Sequence, residues 1–443
     1  MNRCLAFGSA FFVLLFSALH CRHYAIRNPV GRAEAVFSGS HYTETGTERK
    51  MESGADSLGP FDVTVHGFKD AEGKYAVSLQ KQTWRESNIS VYSWIHDPAL
   101  VVNAEAYLGL SVDGLPDYEK GICSYILDRS QFAYPLVVDD LNEANIEQAV
   151  FFLWKTADGR YAAAVPLGGD GFRNVLRIQH GKLEAIGRSN VDAAKPKKVP
   201  LLAVGTSRDP YSLVSDIMKF SVQAMGLRGG LRSGKTFPRL FEKFGWCTWN
   251  ALGRYRGSLG EKITAGDLYA AAKSFQNESF AMPWMLIDDG WQMVANRKMT
   301  GFDAVKSKFP KGLAGTVQIL KRQYGVPRVG VWHAVAGYWD GIHPDSPAGR
   351  RYPDALMSNR FCLFPTAASA KGSKWYADWY DHLKASGIDF LKVDNQGAIL
   401  NLIRGAVPLW DGAARMQANM QGEIRRVFDG AVDVDGLRSP DPA

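Results

Sequence analysis

Asp394 and Lys392 stand on either side of Val393, at the end of an apolar run that begins Phe390-Leu391. If that run is a strand, alternation turns the carboxylate and the ammonium to the same face. A carboxylate beside an ammonium is held as the anion, which a carboxylate nucleophile must be. The same spacing fits an ordinary ion pair at a strand end, and on spacing alone both readings stand. Asp288-Asp289, within Leu286-Ile287-Asp288-Asp289-Gly290-Trp291-Gln292, is a second acidic point. Two adjacent acids can hold a divalent metal, cap the following helix or accept hydroxyl hydrogens, and one carboxylate can take two neighbouring hydroxyls of a sugar ring. His333 and His343 could add metal ligands. No third ligand lies at recognisable spacing, so a hydrogen-bonded structural role is expected for them, with His333 kept as a strand-end candidate for ligand contact.

These residues need a scaffold, and the sequence after Pro238 supplies a repeating one. Phe244 to Trp249, Trp284 to Ile287, Arg328 to Trp332 and Asp389 to Val393 are short strand candidates. Between and after them, Ile263 to Phe275, Leu313 to Tyr324, Trp375 to Ser386 and Gly412 to Phe428 carry helical patterns, as with Leu268, Ala271, Ala272 and Phe275 at three- and four-residue spacing. Four βα units in series predict a parallel sheet, wound open or closed as a barrel. In either form, function gathers where strands end and βα loops begin. Those points are Trp249-Asn250, Asp288 to Gln292, His333, and Lys392 to Gln396.

Before Pro238 the rhythm is different. Phe61 to Val65, Tyr75 to Leu79, Ile89 to Trp94, Leu100 to Leu108 and Ala149 to Lys155 are rich in β-formers, and Asp158-Gly159 between Phe151-Phe152-Leu153-Trp154 and Tyr161 to Val165 predicts a hairpin. The segment reads as an antiparallel β-sandwich, closed by a helix over Tyr211 to Met225. The expected division is a signal-like or disordered extension over 1–59, a β-sandwich with linker helix over 60–236, and a partial barrel over 237–443. Leu5 to Leu19 follows Arg3 in the layout of a secretory signal, without a small-x-small cleavage site. An intracellular protein is expected, with secretion or anchoring through residues 5–19 as the alternative.

Composition narrows the class. With 443 residues, 46% apolar and 22% charged, the chain can bury two or three domain cores and is not a disordered chain. The formal charge of +7 is scattered; its one dense cluster, Lys195, Lys197 and Lys198, is broken by Pro196 and reads as a solvated linker, which argues against nucleic acid as a partner. Five cysteines without a CxxC pair give neither a zinc site nor a disulfide framework. Twelve Trp and 17 Tyr suit stacking on sugar C–H faces and equally suit a large core.

Three segments together are more specific. Phe244-Gly245-Trp246-Cys247-Thr248-Trp249-Asn250, Leu286 to Gln292, and Leu391-Lys392-Val393-Asp394-Asn395-Gln396 resemble, in order, the barrel-strand motifs of glycoside hydrolase family 36 in its raffinose synthase, seed imbibition protein and alkaline α-galactosidase branch. The resemblance runs from about Phe61 to about Phe428. It implies a β-sandwich followed by a (β/α)₈ barrel, a retaining mechanism, no metal or other cofactor, and α-galactosides such as raffinose or galactinol as substrates. By the same resemblance Asp394 corresponds to the nucleophile, Lys392 to a sugar-hydroxyl ligand, Asp288 and Asp289 to the pair that reads galactose, and Trp249 and Trp291, with Trp246 beside them, to aromatic walls.

Retaining hydrolysis uses two carboxyls about 5–5.5 Å apart, one to attack and one to protonate the leaving oxygen. The family's second carboxyl follows a sixth strand, and the residues after Phe428 do not read as a fifth; Asp433, Asp435 and Asp441 sit on a short polar tail. The expectation is therefore a C-terminally truncated, incomplete barrel of about four βα units, with the acid/base absent from the chain. Impaired hydrolysis or galactosyl transfer follows from that. The alternatives are a catalytically inactive remnant that binds sugar, and a metal-dependent hydrolase built on Asp288, Asp289 and His333. Hydrolysis and transfer differ only in whether water or a sugar hydroxyl attacks the same intermediate, so the motifs do not separate them, and oligomeric state is likewise open.

Overall fold

The computed structural model describes residues 49–51, 62–66, 77–96, 107–113, 115, 118–126, 133–189, 191, 198–227, 231–234, 237–253, 263–359 and 362–428. The expectations for residues 5–19, Lys195, Lys197, the strand start at 100–106 and the tail at 429–443 lie outside them.

Among the described residues, 13 strands before Pro210 join into one antiparallel sheet. Its longest member, Asn145–Thr156, carries Tyr118–Ile126 on one edge, and on the other Phe172–Gln179 along its first half and Tyr161–Pro166 along its second. The turn expected at Asp158-Gly159 is formed: Gly159 takes φ +79°, a conformation open to a residue without Cβ, and Thr156 N donates to Arg160 O at 2.9 Å. Alternation then divides the apolar residues between two cores. Ala162, Ala164, Leu202 and Val204 pack with Phe152, Trp154 and Leu176, whereas Ala163, Val165 and Ala203 meet Leu213, Ile217 and Phe220 of helix α1 (Pro210–Ala224). Helix α1 starts cleanly because Asp209 accepts from Tyr211 N and Ser212 N, and Pro210 occupies the first turn, where no N–H is needed.

Strands β1 (Trp246–Cys247), β2 (Met285–Ile287), β3 (Val329–Ala334) and β4 (Phe390–Asp394) form a separate parallel sheet in chain order. Each is followed by a helix: α2 (Ala265–Asn277), α3 (Gly312–Gln323), α4 (Ser373–Ala385) and α5 (Leu409–Phe428). The register pairs Ile287 with Val331, and Val331 with Leu391, so one face of the sheet is continuous across the strands. On that face Met285, Ile287, Val329, Val331, Leu391 and Val393 pack into the core formed with the helices. The opposite face carries Leu286, Gly330 and Phe390 near the strand starts. Only glycine fits at position 330, because a Cβ there would lie 2.3 Å from the Phe390 ring. Phe390 is met edge-on by Phe241 and Trp284, each with ring centroids 5.8 Å away. An apolar floor therefore underlies the same face on which Lys392 and Asp394 stand two and four residues further along.

Some expectations need adjustment. The first strand is limited to Trp246–Cys247, and Phe244, placed in it by the sequence pattern, is 91% exposed. Two antiparallel hairpins, Gln292–Ala295 with Lys298–Ala304 and Leu356–Ser358 with Leu363–Pro365, lie in βα loops where short segments gave no strand signal. Among the described residues no helix is long and apolar enough to cross a membrane.

Candidate active site

Asp394 closes strand β4, and Val335 N donates to its carbonyl at 2.9 Å. Its Cα partner is Ala334, and that of Lys392 is Trp332, so strand alternation puts Trp332, Lys392 and Asp394 on the face above the apolar floor. Both carboxylate oxygens of Asp394 are engaged. Oδ2 accepts from Trp332 Nε1 at 3.0 Å and Oδ1 from Asn395 N at 2.6 Å. The chain leaves the strand through Asn395 at φ +62°, a left-handed conformation that Asn tolerates better than most residues.

Asp288, just past β2, is buried, and both of its carboxylate oxygens accept. Lys392 Nζ donates to its Oδ2 at 2.8 Å, Cys247 Sγ lies 3.4 Å from the same oxygen, and Asp289 N donates to Oδ1 at 2.9 Å. Its own N–H is taken by Thr248 Oγ1 at 2.8 Å, which ties the end of β1 to the end of β2. Burial works against the Lys392 ammonium, but the Asp288 carboxylate outweighs it and the net shift is upward. Burial, reinforced by the charge of Asp288, pushes the Cys247 thiol up to about 12, so at neutral pH it is a donor.

Asp289 points to a different set of partners. Tyr338 OH donates to its Oδ1 at 2.7 Å and Trp339 Nε1 to its Oδ2 at 2.8 Å. Burial raises its pKa; those two donors oppose the rise, and the charges of Asp288 and Asp394 add to it. The mutual influence of Asp288, Asp289, Asp394 and Lys392 makes them one electrostatic cluster.

Three sequence candidates do not reach this face. His333 is wholly buried and sits one residue out of phase with Trp332, so alternation turns it toward helix α4, where its ring lies 4.5 Å from that of Trp379. Its Nδ1 is 3.0 Å from Ala334 O, which leaves Nε2 to accept from Tyr380 OH at 3.3 Å. Burial lowers its pKa to about 4. It therefore assembles no metal site with Asp288 and Asp289, and as a sugar contact it is corrected to a neutral core histidine. Trp291 is also wholly buried and donates through Nε1 to Trp332 O at 2.9 Å; it offers a ligand no exposed face. Trp246 pairs with the outward-facing Met285 and packs edge-on against Phe275 of α2 at 6.2 Å. Trp249 is partly exposed at the start of the turn Trp249–Gly253. His343 accepts from Asp345 N at 3.2 Å in a loop.

The residues that sequence reasoning missed are Cys247, Thr248, Trp332, Tyr338 and Trp339. Placing the third strand end at His333 hid the last three, since β3 runs on to Ala334 and the aromatic pair Tyr338-Trp339 follows in the loop, while at the first strand end the reading went to Trp249-Asn250 and passed over Cys247 and Thr248. What results is a half-exposed carboxylate held in one orientation, next to an ammonium, two buried acids and an indole. Such a surface alternates donors and acceptors, as a ligand rich in hydroxyls requires.

The structure of α-N-acetylgalactosaminidase from Bifidobacterium bifidum superposes with a TM-score of 0.56, at 11% identity, over 87% of this chain and 67% of that one. Residues 155–309 and 296–428 match the family described as raffinose synthase or seed imbibition protein Sip1, and the chain belongs to that family. Among curated relatives, a probable galactinol–sucrose galactosyltransferase 6 of Arabidopsis thaliana is 25% identical over 284 residues, which is 56% of this chain and 37% of that protein. The galactinol–sucrose galactosyltransferase of Oryza sativa subsp. japonica is 27% identical over 270 residues, 50% of this chain and 33% of that protein. The chain thus spans about a third of the length of these relatives.

Proposed function

We propose that this site binds the galactosyl unit of an α-galactoside and that Asp394 attacks its anomeric carbon, as the first half of a retaining hydrolysis or galactosyl transfer. The observation that carries the reading is the fixed Asp394 carboxylate beside the Lys392–Asp288 pair, at the strand ends of a chain belonging to the raffinose synthase family. Asp289, Asp288 and Lys392 would read the sugar hydroxyls, with Trp339 and Trp249 flanking. In the attack, an Asp394 oxygen forms a bond to C1 while the bond from C1 to the leaving oxygen breaks. Asp288 and Asp289 are occupied as acceptors, so the acid that protonates a poor leaving group is assigned to a residue outside those described. The names of the relatives point to galactinol or a similar galactoside as donor. The parallel sheet is read as four βα units of a (β/α)₈ barrel, over 237–443, and the antiparallel sheet as a sandwich domain over 60–236.

An activated substrate isolates the first step. A dinitrophenyl α-galactoside releases its phenolate without protonation, so the chain should give a burst of phenolate and a galactosyl adduct on the Asp394 peptide by mass spectrometry. Asp394→Asn should show neither. A folded protein that binds no galactose and acquires no adduct, or one whose adduct persists in Asp394→Asn, would sink the assignment.

A further inference from the structure

Tyr338 and Trp339 can both donate to Asp289 only if the turn that carries them is fixed, and two buried side-chain amides touch that turn. Gln292 Nε2 donates to Gly337 O at 3.0 Å, and Asn395 Nδ2 donates to Trp339 O at 3.3 Å. Gln292 comes from the loop of Asp288 and Asp289, and Asn395 follows Asp394 directly. Both are nearly inaccessible, at 2% and 4% exposure, and the side-chain oxygen of each has no protein partner. The bond to this turn is thus the side-chain hydrogen bond that each amide makes. A buried acceptor left unpaired costs about 1–3 kcal/mol, a cost that Met or Leu of similar volume would not incur. We propose that Gln292 and Asn395 are positioning residues, which clamp Gly337–Trp339 so that the Tyr338 hydroxyl and the Trp339 indole meet Asp289.

The other restraints on the turn support this division of labour. Gly337 stands at φ +92°, and a Cβ there would lie 2.9 Å from Met299 Sδ, so the backbone path is sterically specified. Gly337 N donates to Ala334 O at 2.8 Å, fixing the turn to the end of β3. Beyond it, Arg297 Nε and Asp340 Oδ2 form an ion pair at 3.0 Å, but both are about half exposed, and such pairs contribute little. Among the described residues, the amides alone reach the Gly337 and Trp339 carbonyls, while Gly341 N donates to the Tyr338 carbonyl at 3.1 Å and Asp340 N to Arg297 O at 3.0 Å. The clamp also links the carboxylate proposed to attack with the acids proposed to read the sugar, since Asn395 N donates to Asp394 while Asn395 Nδ2 holds Trp339.

The inference concerns the sugar site proposed above, but its first readout needs no sugar. In protein carrying ¹⁵N-labelled tryptophan, the indole N–H signal of Trp339 is identified by its loss in Trp339→Phe. Gln292→Met and Asn395→Gly, which keeps the left-handed backbone available, should each move that signal upfield as its bond to Asp289 lengthens. Gln292→Met should leave the Trp332 signal in place. Galactose affinity should then fall about tenfold in Gln292→Met, as for a lost hydrogen bond to a charged group. The Gln292→Met, Trp339→Phe double variant should lose less affinity than the sum of the two single losses, the remainder being carried by Tyr338, whereas a merely structural role gives additive losses. An unmoved Trp339 signal in a cooperatively folded variant overturns the clamp, and so do additive losses. Wild-type protein that binds no galactose would refute the proposed function, while the indole signal would still decide the clamp. If Gln292→Met does not fold, Asn395→Gly reports on the same signal.

Discussion

The Lys392 ammonium meets Asp288, 104 residues earlier in the chain, at 2.8 Å, although Asp394 stands two residues away on the same strand face. The register explains the choice. Lys392 lies beside Trp332 of β3, its stem crosses that strand toward the end of β2, and the Asp394 oxygens are already taken by the Trp332 indole and Asn395 N. The Lys392 ammonium therefore compensates the buried Asp288 directly and acts on the partly buried Asp394 carboxylate only through space.

Lys392→Met should leave Asp288 buried without a counter-charge. Breaking a buried pair typically costs about 3–5 kcal/mol; because the lysine side chain keeps roughly a quarter of its surface, about 2–3 kcal/mol is expected by urea unfolding. The pH dependence has a fixed sign. The folded pKa of Lys392 lies above its ordinary 10.5, so the contribution is complete below that value and is lost as pH climbs through the folded one. The stability gap between wild type and variant should be constant from pH 7 to 9 and narrow as pH rises beyond 10.5; a gap that widens there contradicts the pairing.

His333 gives the opposite case. Its ordinary pKa of 6.5 falls to about 4 in the fold, so below 6.5 the unfolded chain takes up a proton that the folded chain refuses. The loss should begin near pH 6.5 and reach about 3 kcal/mol by pH 4, at about 1.4 kcal/mol per unit. His333→Gln should remove that part of the acid destabilisation while leaving galactose affinity within about twofold of wild type. A larger loss of affinity, at matched folding, would return His333 to the site.

Trp332→Phe tests the hold on Asp394. The indole bond to the carboxylate is charge-assisted, and its loss frees one oxygen to rotate. Formation of the Asp394 adduct from the dinitrophenyl galactoside should slow about ten- to a hundredfold, with a smaller change in galactose affinity. Equal rates in wild type and variant would show that the indole is packing and nothing more.

Much of the scaffold was legible in the chain. The βα alternation after Pro238 placed all four parallel strands and their helices to within a few residues, and Asp158-Gly159 marked its hairpin, because these depend on periodicity and turn chemistry that neighbouring residues carry. The hairpins in the loops were not, since short segments such as Leu356–Ser358 take their strand form from tertiary pairing rather than from propensity.

The site divides in the same way. That Asp288, Asp289, Lys392 and Asp394 stand at strand ends, and so at one end of a parallel sheet, was readable from local pattern. Their partners were set by the packing of one strand on the next. Whether a strand-end side chain faces the cleft or the helices depends on a one-residue phase, and that phase is set where β3 is registered against β4; it sent Trp332 to Asp394 and His333 into the core. Contacts such as Lys392 with Asp288, and Tyr338 and Trp339 with Asp289, join residues from different strands and loops. No local pattern encodes them, because they exist only once neighbouring strands fix the distances between segments that the sequence keeps far apart.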